Sequence, residues 1–418
     1  MSAPVPLGLK KSFGFGDRLG LATPGHLAAV RQFPDFAPIF AQQSIREMTR
    51  TRRTPSEVMA AAQSSLQAAG FSGVWGADGD HLKTPEDVAA VAAAGFCFFT
   101  IDPSAHVNNA ADTLDEAGLR AEVARQEAEG LYAGFGWREY YLDRVFSVST
   151  RFAPLQFDEE SLLRAIVKYG RATAHAAVLG EAIARVSGGR GEIEVSVDET
   201  DSPTSPLEHL FFALELQRRG VPNLVSLAPR FVGEFEKGVD YRGDLREFER
   251  LLEIHAAIAR FAGPYKISIH SGSDKFSAYP IIGRVCGGRL HVKTAGTSYL
   301  EALRVVARAN PGLFAEIAAY CRGRFDTDRA SYHISATSDQ VAALPPFRGA
   351  ADEAVYLDEL AGRQLLHVTF GSVLTAGADA QGRPFKAGIL EVLEANAALH
   401  SELVERHFVK HLSLLKAG

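Results

Sequence analysis

An α/β fold of the (β/α)8 TIM-barrel type, with a helical insertion after the fourth strand and a helical C-terminal extension, is what the 418-residue sequence predicts. Three observations predict it. Short strand-like runs alternate with helix-like segments through residues 13–309, and there are eight of them. Several of the helices carry clear start and stop signals. No GxGxxG opens a helix after the first strand, which removes the main argument for an open, doubly wound sheet.

In order, the strands are expected at SFGFG (12–16), IFAQQS (39–44), GVWGA (73–77), FCFFTID (96–102), EIEVSVDE (192–199), NLVSLAP (223–229), YKISIH (265–270) and RLHVKT (289–294). Between them lie amphipathic stretches such as PSEVMAAAQSSLQAAG (55–70), PEDVAAVAAAG (85–95), SPLEHLFFALELQRRG (205–220) and DLREFERLLEIHAAIARFAG (244–263). Ser, Thr or Asp caps followed by Pro or an acidic first turn start several of them, and Gly ends them. The first 309 residues form the catalytic barrel, and 310–418 form a mainly helical extension packed on it. The insertion, 103–190, holds a helix around 112–129, the Gly/aromatic stretch GLYAGFGWREYYLD (130–143) and a long helix around 158–187. Insertions on the face of the strand C-termini usually build the active site, so this one is expected to supply a lid or wall.

With 46% hydrophobic and 22% charged residues the chain can bury a large core. A net charge of −6 argues against nucleic acid or an anionic membrane as partner and for a small-molecule substrate. Homo-oligomerisation is compatible with the composition. Cys97, Cys286 and Cys321 are too few and too scattered for a disulfide framework or a thiolate metal site. No apolar run approaches the roughly 20 residues a membrane span needs, and the N-terminal MSAPVPLGLKKSFGFG has no apolar signal-peptide core, so a cytoplasmic protein is expected.

Apolar residues on the outer faces of barrel strands leave the other parity to the interior. That parity places Lys266, Ser268 and His270 inside on strand 7, His291 and Lys293 on strand 8, and Glu194, Ser196 and Asp198 on strand 5, with Glu199 at the strand's end. Thr100 and Asp102 follow Phe98 on strand 4. So polar a lumen is unusual, and its charges must be paired or bound to something. Deep groups such as Glu194 and Lys266 read as internal ion pairs. Groups at strand C-termini read as chemistry, because that rim is where barrel enzymes keep it. In GADGDHLKT (76–84), Asp78, Asp80 and His81 follow strand 3 onto the rim, with Gly79 expected to allow a sharp turn.

Histidines at the ends of different strands, with carboxylates and without thiolates, describe an N/O site for a divalent cation such as Zn, Mn, Co or Ni. His81, His270 and His291 are the expected ligands, with Asp102, Glu199 and His333 in reserve. Asp80 and Glu199 then remain as carboxyls on opposite sides of the mouth, suited to general acid/base work. Lys275, Lys293 and Arg230 are candidates to hold an anionic group, together with the turns SGSDK and KTAGTS. His400, His407 and His411, at helical spacing, read as a docking or solvated face.

GADGDHLKT (76–84), FTIDPS (99–104), SIHSGSDKF (268–276), HVKTAGTSYLEALR (291–304) and RQLLHVTFG (363–371), spread over most of the chain, resemble the tagaturonate/fructuronate epimerases of hexuronate catabolism, for which this chain is short. The resemblance implies a sugar-acid substrate and a metal-dependent interconversion of D-tagaturonate and D-fructuronate, which differ only at C4. It implies that the Asp80–His81 pair supplies the general base and a metal ligand. Glu199 is the expected partner acid, and Lys293, Lys275, Arg230 and Asp102 are expected around the substrate. The hydrogen on C4 is not α to the C2 carbonyl, so its direct removal would leave an unstabilised carbanion. Retro-aldol opening of the C3–C4 bond and re-addition to the other face of the C4 aldehyde avoids this. A metal-dependent aldose–ketose isomerase or a class II-type aldolase would use the same parts, and a non-catalytic sugar-acid sensor would need neither rim carboxylate.

Overall fold

In the computed structural model, which describes residues 3–416, eight parallel strands close into one barrel in chain order. They are β1 (Ser12–Gly16), β2 (Ala37–Ser44), β3 (Gly76–Leu82), β4 (Phe98–Ile101), β5 (Glu192–Val197), β6 (Leu224–Pro229), β7 (Lys266–Ile269) and β8 (Leu290–Thr294). Outward residues such as Ile193, Val195, Ile267, Ile269, Leu290 and Val292 are buried in one core with the surrounding helices. Alternation therefore sets the two faces as expected.

The third strand is the exception. The apolar run at 73–77 is only its approach: Val74 is 55% exposed, and the strand runs on through Asp78 and Asp80. Gly79 makes no turn. A Cβ there would meet Val91 Cγ2 at 2.9 Å, so glycine is needed where a helix presses on the strand. The left-handed residue is His81, with φ 52°, at a slip in register between Gly79 and Leu82. In a regular strand Asp80 and His81 would face opposite sides; this bulge turns both towards the mouth.

Eight helices ring the barrel, each packed on the next. These are α1 (Thr23–Arg31), α2 (Pro55–Ala68), α3 (Pro85–Ala93), α4 (Glu159–Ser187), α5 (Pro206–Arg218), α6 (Leu245–Phe261), α7 (Tyr279–Cys286) and α8 (Ala397–Lys416). Capping boxes built by Thr54 with Glu57, Thr84 with Asp87 and Ser205 with Glu208 start α2, α3 and α5, each followed by Pro.

Two ring positions differ from the expectation. The long helix assigned to the insertion, α4, is the crossover helix between β4 and β5, packed between α3 and α5. The remaining insertion, 103–158, lies outside α4 and α5. Its Tyr141 donates to buried Glu215 at 2.9 Å and packs on Phe211 and Phe157. No described residue of 103–190 lines the mouth cavity, so the insertion supplies no wall there.

The eighth ring position is filled from the end of the chain. The helix after β8, Thr297–Ala309, leaves the ring to form a second core with residues 314–393. In its place α8 packs between α7 and α1, with Phe408 against Phe13 and Phe15 at ring separations of 5.9 and 5.1 Å. His411 and His407 belong to this docking. His411 Nε2 accepts from the Asp274 N–H at 3.0 Å, and His407 Nε2 lies 3.0 Å from Asp274 Oδ1. The cysteines are free, with Cys286 and Cys321 buried, and no helix among the described residues is long and apolar enough to cross a membrane.

Candidate functional site

A cavity of about 380 Å³ opens at the C-terminal ends of the strands. Its floor is the top of the polar lumen, and its walls come from the loops after β5 and β6, from residues 42–46, and from Ser331, Tyr332 and His333 of the C-terminal extension.

One lysine organises the floor. Lys293 Nζ lies 2.7 Å from Asp78 Oδ2, 2.8 Å from Asp80 Oδ1 and 2.9 Å from Glu194 Oε1, and also donates to Thr100 Oγ1. Those carboxylates raise its amine far above the ordinary value despite its burial. Lys293, though it reaches the cavity, is thus tied to three of the protein's own carboxylates.

Above it stand the two imidazoles. Asp102 Oδ2 accepts from His81 Nδ1 at 3.0 Å, which fixes the ring and leaves Nε2 3.9 Å from Asp80 Oδ1. A carboxylate behind a histidine is the arrangement that orients metal ligands. His270 lies with its ring centroid 5.2 Å from that of His81, its Nε2 2.6 Å from Glu194 Oε1 and its Nδ1 3.4 Å from Asp198 Oδ1. Burial opposes charging both rings, yet Asp80 and Asp102 raise His81 to about 9, and Asp198 and Glu194 raise His270 to about 10. Burial pushes Asp78 up to about 7, against the pull of Lys293.

The charge count explains these shifts. Asp78, Asp80, Asp102, Glu194 and Asp198 outnumber the buried ammonium of Lys293, and protonating the two imidazoles offsets two of the excess negative charges. One divalent cation carries the charge of those two protons, and neutral imidazoles would be free to bind it. Asp80, His81 and His270 each offer a ligand atom, all within 4.8 Å of one another. The donor set therefore fits a divalent cation.

His291 does not join this cluster. It faces the lumen one layer lower, where Nδ1 is 2.9 Å from Ser12 Oγ and the ring packs 5.3 Å from that of Phe98. Burial holds its imidazole well below the ordinary value. His333 is also apart, exposed and 2.6 Å from Glu234. Lys275 is sealed in protein and donates to the carbonyls of Glu236, Val239 and Ser273 at 2.7–2.8 Å, so it faces no ligand. Arg230 does line the cavity, braced on the Thr200 carbonyl. Asp80 and Glu199 are not on opposite walls. Both stand beside His81, and Glu199 is 35% exposed and paired with Arg46 at 3.0 Å.

Among the cavity residues outside the sequence-based selection, Arg46, Gln42 and Lys237 bear on the chemistry. Arg46 belongs to the short helix after β2, which no strand pattern marks. Gln42 sits at the end of β2 with neither amide atom hydrogen-bonded, and Gly14 opposite leaves it room, since a Cβ there would meet Gln42 Oε1 at 2.9 Å. Lys237 stands in the loop after β6 with Ser271 Oγ at 2.6 Å. The string FVGEFEKGVDY (231–241) hides it, because two neighbouring glutamates make Lys237 look like an ordinary surface base.

A family model described as tagaturonate epimerase matches residues 1–415. The tagaturonate/fructuronate epimerase of Thermotoga maritima is 44% identical over 417 residues, covering 99% of this chain and 82% of that protein. The native and glycerol-complexed crystal structures of fructuronate-tagaturonate epimerase UxaE from Cohnella laeviribosi match with a TM-score of 0.90 at 38% identity, over 99% of this chain and 83% of theirs. These matches run through the barrel, the extension and the cavity between them, and the chain belongs to the tagaturonate epimerase family.

Proposed function

We propose that the protein is a divalent-metal-dependent epimerase that interconverts D-tagaturonate and D-fructuronate by opening and re-forming the C3–C4 bond. The observation that carries this reading is the excess of buried carboxylate around two strand-end imidazoles, on the floor of a cavity that Arg46, Arg230 and Lys237 also line. A relative with 44% identity that bears this name supports the substrate pair.

His81, His270 and Asp80 would hold the cation, with Asp102 fixing the His81 ring. A bound Zn, Mn, Co or Ni ion supplies Lewis acidity for negative charge developing on the C2 oxygen. Asp80 thereby passes from proton transfer to cation binding, and Glu199, the partly exposed carboxylate beside His81, takes the proton-transfer role.

In this scheme Glu199 accepts the C4 hydroxyl proton as the C3–C4 bond breaks. The bonding pair moves to C3 and onto the C2 carbonyl oxygen, leaving an enediolate and a C4 aldehyde. The aldehyde turns its other face, the bond re-forms, and the proton returns to the C4 oxygen. Arg46, 3.0 Å from Glu199, holds that carboxylate at the rim of the cavity. The three free cysteines fit the reducing cytoplasm, where we place the enzyme.

Stripping the protein with a chelator and reloading it with each metal, in the presence of D-fructuronate, tests the reading. Chromatography should show D-tagaturonate only after reloading. An aldose product would assign an isomerase instead, and accumulating three-carbon fragments an aldolase.

A further inference from the structure

Among the described residues, Lys237 and Arg230 are the cavity cations without a carboxylate partner, and Arg230 is braced on the Thr200 carbonyl. No carboxylate of the described residues lies within 4.0 Å of the Lys237 ammonium, and its hydrogen-bond partner is the Ser271 hydroxyl at 2.6 Å. Arg46 and Lys293, by contrast, are each tied to carboxylates of the protein. A half-buried ammonium without a counter-ion is costly to keep, and burial and the nearby Arg46 together push its pKa down.

The loop around it is nevertheless built to hold it there. Lys275 donates to the carbonyls of Glu236 and Val239 at 2.8 and 2.7 Å. Arg363 Nε donates to the Gly238 carbonyl at 2.5 Å, and Gln364 Nε2 to Glu236 Oε2 at 2.7 Å. The backbone on both sides of Lys237 is thus pinned by a buried lysine and by two residues of the extension's helix Leu360–Val368. This gives RQLLHVTFG (363–371) a physical purpose: the extension positions a cation in the barrel's mouth.

We propose that Lys237 grips the substrate's C6 carboxylate and, through that grip, keeps the cleaved aldehyde in the cavity while its face is turned. The inference rests on the C3–C4 cleavage read above. Cleavage of a 2-keto-hexuronate leaves C1–C3 as the enediolate of dihydroxyacetone. The remaining C4–C6 is 2-hydroxy-3-oxopropanoate, which carries the carboxylate. That second fragment is the one that must rotate without leaving. Ser271 directly follows His270, so the Lys237 ammonium stands against the strand end that also carries a cluster imidazole. A carboxylate held at that point and free to turn about C4–C5 meets both requirements.

The test compares wild type, Lys237→Met and Lys237→Arg as metal-loaded enzymes on D-fructuronate. Four quantities are measured: kcat, KM, free dihydroxyacetone and thermal stability. Lys237→Met should raise KM tenfold or more, release dihydroxyacetone at least tenfold above the wild-type level, and leave Tm unchanged or higher, since an unpaired buried charge is lost. Lys237→Arg should restore much of both kinetic effects. An unchanged KM in Lys237→Met would overturn the grip. A raised KM without released dihydroxyacetone would uphold the grip and overturn the retention role. A wild type inert on D-fructuronate would overturn the proposed function instead, and calorimetric binding of D-fructuronate, tenfold weaker in Lys237→Met, would still decide the grip.

Discussion

Asp80→Asn should abolish turnover and at the same time empty the metal site. Asp80 is buried in a cluster whose charge is unbalanced without a cation, and it is the carboxylate that shares a 4.8 Å cluster with both rim imidazoles. Its amide analogue keeps the shape but withdraws the negative charge that neutralises the cation. Losing an outer-shell partner of a metal ligand typically costs about 10–100-fold in metal affinity, and loss of a donor should cost at least that much. Metal content by mass spectrometry, measured beside activity, reads both effects. Full metal occupancy with collapsed turnover would return Asp80 to proton transfer.

Glu199→Gln should do the reverse: kcat should fall about 10²–10⁴-fold, the usual worth of a positioned acid or base, with metal content unchanged. Glu199 is 35% exposed and its partner Arg46 is 38% exposed, so the substitution breaks only a rim ion pair and should leave Tm nearly unaffected. Activity within a few-fold of wild type would remove Glu199 from the mechanism. The two variants form a pair, because one loses metal and turnover together and the other loses turnover alone.

How far the sequence discloses this molecule depends on which interactions are local. β1, β5 and β8 are legible because their outward residues are apolar and their inward ones are not, a pattern each strand carries within itself. β3 is not, because its inward residues Asp78 and Asp80 face a polar lumen and its outward Gly79 is dictated by Val91 on α3. Read alone, Asp-Gly-Asp looks like the end of a strand. The role of α8 is likewise non-local: Val404, Phe408, Leu412 and Leu415 show an apolar face, but that face covers β1, the start of the chain.

The site divides in the same way. His81, His270, Asp102 and Glu199 come to the mouth because strand ends are recognisable and barrels keep polar groups there. His291 shares the parity of that set but not its height, since parity assigns a face and only register assigns a layer: His291 pairs with Ser12 at the base of β1, and Lys293 lies two residues higher. Lys275 and Lys237 exchange the roles their sequence contexts suggest. Lys275, in a polar turn, is sealed by three carbonyls, while Lys237, between glutamate and glycine, is left facing the cavity because the carboxylate of Glu236 is taken by Gln364 and Ser335 of the extension. Those partners lie about a hundred residues or more away along the chain.

The central claim is that configuration at C4 inverts by breaking a carbon–carbon bond and not by removing the C4 hydrogen. NMR of the products formed from D-fructuronate by the metal-loaded enzyme in D2O tests it most directly. D-Tagaturonate should appear with protium fully retained at C4, and deuterium at that carbon would contradict the account.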